Sequence, residues 1–179
     1  MAASEIYCDY GLGDDASGDG TQGLPYKTAQ KAFDVIHARA APSPNHTGWG
    51  TDTTVWLRDT APYEEKVLVE EEMTASALLP LVIEGYTNTP GDGGIATFDG
   101  TNTETYAFRL ESEFGADNNN YYWVVKNIEF KRYTDTAWDG VWGGGHMTNV
   151  LFQHCRFGNN ATALYGNAGY SILDCWLHD

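Results

Sequence analysis

The stretch Val125-Lys126-Asn127-Ile128-Glu129-Phe130 decides the fold, because its pattern recurs twice. It aligns with Phe152-Gln153-His154-Cys155-Arg156-Phe157, and then with Ile172-Leu173-Asp174-Cys175-Trp176-Leu177. Three apolar columns result: Val125, Phe152 and Ile172; Ile128, Cys155 and Cys175; Phe130, Phe157 and Leu177. Asn127, Glu129, His154, Arg156 and Trp176 fall between them and point elsewhere. Alternation of this kind is the period of a strand with one face buried. The offsets of 27 and then 20 residues suit stacked units whose connecting loops differ in length. Equivalent residues are then expected about 4.8 Å apart, the spacing of neighbouring strands.

Upstream the texture is similar. Thr54–Leu57, Lys66–Val69, Leu81–Ile83, Tyr106–Leu110 and Tyr121–Val125 read as strands, rich in β-branched and aromatic residues. Turn-forming runs separate them, among them Asn88–Gly94, Asp99-Gly100 and Gly158–Asn160. Residues 1–50 differ. Ile6-Tyr7-Cys8 reads as a short strand, and Gly11–Gly23 as a loop of Gly and Asp. Thr28–Arg39 reads as a helix, with Thr28 as N-cap, Pro42 as stop, and Ala29, Ala32, Phe33 and Ile36 on one face. The chain thus divides into a strand, loop and helix over 1–50 and strand repeats over 51–179.

Composition narrows the partners. The 179 residues carry a net charge of −15 with only 10 Lys and Arg, so a phosphate backbone or an anionic membrane would be repelled. The three cysteines, Cys8, Cys155 and Cys175, form neither a disulfide framework nor a zinc pattern. Cys155 and Cys175 share a column, so they are either stacked thiols or a pair within disulfide reach. No signal peptide is visible, and the longest apolar run, Ala75–Ile83, is broken by Ser76 and Pro80.

Other residues identify a family resemblance. The loop before Leu24-Pro25-Tyr26-Lys27-Thr28-Ala29-Gln30-Lys31-Ala32 resembles the opening of pectate-lyase-like proteins, where such a helix caps a solenoid. Thr54–Arg58, Tyr63–Val67, Leu81–Tyr86 and the run Thr89–Gly94 with Ala96–Gly100 resemble that superfamily's first coils. The resemblance implies an all-β, single-stranded right-handed parallel β-helix with an N-terminal α-helical cap. It implies no one activity, since the superfamily holds lyases, hydrolases, adhesins and phage tail spikes. Members usually have more coils and then a C-terminal cap. Here the C-terminal end is expected to be uncapped, which invites a protein partner or self-association, as in a homotrimer.

Two groups of residues are candidates for binding. Asp14, Asp15 and Asp19 crowd a glycine-rich loop, as calcium ligands do, although turn chemistry also explains them. On a loop read from Tyr133 to His146, Tyr133, Asp135, Trp138, Asp139, Trp142 and His146 place rings beside carboxylates, as sugar-binding surfaces do. The alternative is that the two tryptophans fold back into the core. No catalytic motif transfers: the Lys and Arg residues of the repeats stand beside no evident Asp cluster. His154 has no partner His, which makes it a weak metal ligand. Asn45-His46-Thr47 and Asn160-Ala161-Thr162 are glycosylation sequons. The reading that follows is a non-enzymatic structural or binding module, outside the cell or on a virion, recognising polysaccharide and requiring no cofactor. A polysaccharide lyase or glycoside hydrolase, or a fragment of one, is the alternative.

Overall fold

Alternation does become strand. A computed structural model describes residues 4–38, 52–69, 78–111, 122–142, 149–166 and 169–178, with the side chains at 111, 141 and 142 excepted. Its strands are β1 (Ser4–Asp9), β2 (Thr53–Arg58), β3 (Val67–Val69), β4 (Leu81–Tyr86), β5 (Ala96–Asp99), β6 (Tyr106–Glu111) and β7 (Trp123–Lys126). They continue with β8 (Ile128–Lys131), β9 (Thr136–Trp142), β10 (Val150–Gln153), β11 (Arg156–Gly158), β12 (Thr162–Tyr165), β13 (Tyr170–Leu173) and β14 (Trp176–His178). Helix α1 spans Ala29–His37. The protein is therefore all-β with one described helix.

The strands form three sheets, every pairing parallel. The first runs β1-β2-β4-β7-β10-β13, the second β14-β11-β8-β5, and the third β12-β9-β6-β3. From β4 onward the chain visits first, second and third sheet in rotation. The three repeats read from sequence stack in that register: Val125 faces Phe152, which faces Ile172, and Phe130 faces Phe157, which faces Leu177.

All three sheets turn a face to one core. Ile6, Val55, Ile83, Val125 and Phe152 line it from the first sheet, and Phe98, Phe130 and Phe157 from the second. Val67, Phe108 and Trp138 line it from the third. Rings stack along the register: Phe98 on Phe130 at 5.8 Å, Phe130 on Phe157 at 5.2 Å, and Phe108 on Trp138 at 4.9 Å. Each fully buried large apolar side chain contributes roughly 1.5–3 kcal/mol.

Most of the helix reading survives. Thr28 is the N-cap, its hydroxyl accepting from Lys31 N at 3.1 Å, and Ala29, Ala32, Phe33 and Ile36 are buried. Arg39 lies outside the described residues. Phe33 stacks on Trp123 at 5.7 Å, so the helix shares the core of the sheets. The Gln30 amide bonds both Leu68 N (2.7 Å) and Leu68 O (3.0 Å). Gln30 thus stands in for a neighbouring strand on β3, the edge of the third sheet, which blunts that edge.

In each of the last three passages from first to second sheet, one residue turns the chain through left-handed backbone. Asn127, His154 and Asp174 occupy this position, with φ of 54°, 52° and 51°. Left-handed backbone is costly for most residues, and Asn, Asp and His are the ones that tolerate it. Their column in the sequence is thus a column of turns.

One expectation is overturned. In the segment 133–146, read as a loop, residues 136–142 are strand β9 of the third sheet, and 143–146 lie outside the described residues. Thr136, Ala137, Trp138 and Asp139 are all buried, so both faces are covered and no alternation marks the strand.

Candidate functional site

The aromatic group predicted to hold sugar is mostly interior. Trp138 is fully buried among Phe108, Phe130 and Phe152. Tyr133 is buried, its hydroxyl donating to Glu65 O at 2.8 Å. Asp139 is buried and bound by Arg109 Nε at 3.0 Å. Only Asp135 is exposed, accepting from the Thr136 hydroxyl at 3.3 Å. The Trp142 side chain and His146 lie outside the described residues. Tyr133 and Trp138 are therefore core residues, not a sugar platform, because the hydrophobic gain of burying rings this large prevails.

The Asp-rich loop is built from its carboxylates. Asp14 accepts from Ala16 N (2.7 Å) and Ser17 N (3.2 Å), and Asp19 from Thr21 N (2.9 Å). Those bonds hold Asp14 below the ordinary carboxylate range, and the hydroxyl and N–H of Thr21 do the same for Asp19. Asp15 accepts from Lys27 N (2.8 Å), Thr28 N (3.0 Å) and the Thr28 hydroxyl (2.7 Å), tying the loop to the start of α1. Among the described residues, no three His, Cys, Asp or Glu converge as a metal site. Asp15→Ala is expected to cost about 1–2 kcal/mol in a urea titration, as loss of a cap and its bonds does. A calcium-dependent rise in the wild-type midpoint would support the calcium reading, and an unchanged midpoint would support the turn reading.

A different group of residues meets at the turn between first and second sheet. His154 and Asp174, on adjacent repeats, project outward, with His154 Nε2 3.5 Å from Asp174 Oδ2. Two residues on, Arg156 and Trp176 are strand partners on the outer face of the second sheet. The Trp176 indole is 71% exposed. Together with Ile95 and Cys175 they line a cleft of about 460 Å³. Cys155 and Cys175 are both free thiols, with Cys155 N donating to Cys175 Sγ at 3.4 Å. Burial pushes the Cys155 thiol up to about 12, so it is no nucleophile at neutral pH.

Ile95 reaches the cleft from the end of the 87–95 loop. Asp92 organises that loop by accepting from the backbone N–H of Thr89, Asn88, Gly94 and Thr87 at 2.7–3.1 Å. Those four bonds hold its carboxyl far below the ordinary range. The loop rejoins the sheet through Ala96 N, which donates to Asn127 O at 3.1 Å. Gly85 lies beneath that bond, where a Cβ would come within 2.1 Å of Asn127 O.

Sequence reasoning placed His154 with Asp174 and Arg156 with Trp176 in shared columns. It missed the cleft because Ile95, which also lines it, comes from a distant part of the chain. The sequon at Asn160 is structural: its amide donates to Phe130 O (2.9 Å) and its oxygen accepts from Tyr133 N (3.0 Å). Asn45 lies outside the described residues. Among those residues, no helix is long and apolar enough to cross a membrane.

No family model and no curated protein sequence matches the chain. Among solved structures it is similar to the native GH136 lacto-N-biosidase from Eubacterium ramulus. The TM-score is 0.54 at 15% identity, over 98% of this chain and 31% of that one. The selenomethionine form of that protein gives 0.52 and 14%, over 98% and 34%. A rhamnogalacturonan lyase gives 0.42 and 13%, over 98% and 57%. At such identity the likeness to the lacto-N-biosidase is one of fold. The chain spans about a third of that protein's length.

Proposed function

We propose that the chain is a right-handed parallel β-helix module that binds carbohydrate without transforming it. Rotation through three parallel sheets supports the winding, and crossovers between parallel strands are right-handed in nearly all proteins. The observation that carries the binding reading is the cleft, where the exposed Trp176 indole stands beside the His154–Asp174 pair. A sugar lays its C–H face on such a ring and its hydroxyls on such polar groups. The lacto-N-biosidase that shares the fold is by its name a glycoside-acting enzyme, which fits at the level of ligand class.

Catalysis finds less support. A general acid must be poised to give its proton to a leaving group. Asp174, on the cleft, pairs with His154 at 3.5 Å, and outside it Glu129 pairs with Lys131 and Glu84 with Lys126, both at 3.4 Å. Such a module requires no cofactor and works outside a cell or on a virion. Ile172 and Leu177 in the last strands are half-exposed, and self-association there, as a homotrimer, would cover them. A mass measurement in solution tests that; a monomer at all concentrations rules it out.

Affinity electrophoresis through gels containing soluble polysaccharides tests the binding reading. Trp176→Ala should abolish retention, while Tyr165→Ala, which removes an exposed ring outside the cleft, should leave it intact. Unchanged retention in Trp176→Ala, or new reducing or unsaturated chain ends in the incubated glycan, would overturn the reading.

A further inference from the structure

Arg156 stands apart from the other described cations. Arg58, Lys66, Arg109, Lys126, Lys131 and Arg132 each pair with a carboxylate. Lys27 and Lys31 lie over tyrosine rings. The Arg156 guanidinium has neither an ion pair nor a hydrogen bond among the described residues. Its strand neighbour Glu129 is the obvious partner, but Lys131 and the Thr97 hydroxyl hold that carboxylate at 3.4 and 3.3 Å. On a chain of net charge −15, a guanidinium thus remains available in a cleft that the exposed Trp176 indole also lines.

We infer that the cleft selects a sugar carrying one acidic group, set in an otherwise neutral glycan. This rests on the carbohydrate reading of the cleft and adds the ligand's charge. The guanidinium fork matches the two oxygens of a carboxylate or the face of a sulfate ester. Trp176, its strand partner, takes the ring that bears the acid. His154, turned outward beside Asp174, adds a donor or acceptor for a neighbouring hydroxyl.

The same charge distribution argues against a densely charged polymer. At physiological ionic strength fields fade over about 8 Å. An acid group in contact with Arg156 therefore feels that cation first. Further acid groups along a polyanion would meet a surface dominated by Asp and Glu, and their repulsion would cancel the gain. A lone acidic substituent is favoured, and a polyuronate is not.

Calorimetric titration of the full chain tests this with a matched set of oligosaccharides. One is neutral, one has a single terminal uronate, one a single sulfate ester, and one carries a uronate at every position. One or both singly acidic ligands should bind about tenfold tighter than the neutral one, as a single charge-assisted contact provides. The fully charged ligand should bind no tighter than the neutral one. Arg156→Gln should bind the acidic ligands no more tightly than it binds the neutral one, and added salt should shrink the wild-type preference. Equal binding of neutral and acidic ligands, an unaffected Arg156→Gln, or tightest binding of the polyuronate would overturn the inference while leaving the carbohydrate reading standing. Binding of none of the four would overturn both. The uronate and sulfate arms tell which acid is recognised.

Discussion

Trp138→Ala is expected to destabilise the protein by about 3–5 kcal/mol, the range for truncating a large buried aromatic. The indole is fully buried and meets rings from all three sheets. Phe108 stacks on it at 4.9 Å, Phe152 meets it edge-on at 5.1 Å, and Trp123 and Phe130 lie at 6.0 and 6.3 Å. Stacked neighbours above and below fix each strand, so the void cannot collapse without breaking register. The indole N–H has no hydrogen-bond partner among the described residues. Trp138→Phe removes that buried donor with only part of the ring, and should cost much less than the alanine. Urea titrations of both variants check the pair. An alanine variant within about 1 kcal/mol of wild type would mean that the three sheets share no tight core at this level.

The second large effect is one of pH. Glu65 lies under the N-terminus of α1, its carboxylate accepting from Ala29 N (2.8 Å) and Gln30 N (3.2 Å). Burial pushes its pKa from 4.5 up to about 7, against the pull of those two N–H groups and with a further push from the charge of Asp15. The folded state then holds a proton that the unfolded state releases above about 4.5. Stability from this group is full below the unfolded pKa and declines as pH rises to about 7. The loss comes to about 3 kcal/mol, treating each step of pKa as 1.36 kcal/mol. Glu65→Gln keeps an acceptor for the helix and carries no charge. Its stability should therefore lack this decline, and the difference between variant and wild type isolates the group from every other titration. Parallel pH profiles for the two proteins would falsify the assignment.

The repeats were legible because Val125, Ile128 and Phe130 alternate with polar residues, as do their counterparts, and register follows where only one face is buried. The helix was legible from Thr28 and the spacing of Ala29, Ala32, Phe33 and Ile36. Strand β9 was not. With both faces covered it shows no alternation, and it reads as part of a loop. The same reading set Tyr133, Trp138 and Asp139, which are buried, on a ligand surface. Rings near carboxylates read as a sugar surface, but Trp138 fills the core and Asp139 answers Arg109. The cleft was half legible, since the columns bring His154 to Asp174 and Arg156 to Trp176. What no local pattern revealed is that Ile95, at the end of the 87–95 loop, also lines it.

The left-handed residues at 127, 154 and 174 have a consequence for how the molecule tolerates change in length. Each stands two residues after the last inward-facing residue, Val125, Phe152 or Ile172, so the number of residues between turn and core is the same in every repeat. Deleting one residue inside β7 or β10 would send every later inward side chain of that strand to the outer face. Removing an entire repeat would instead bring equivalent positions together with their faces unchanged. Insertions should therefore accumulate in the segments that lead into the first sheet, and viable deletions should come in whole repeats, making the repeat rather than the residue the unit by which this protein can be shortened.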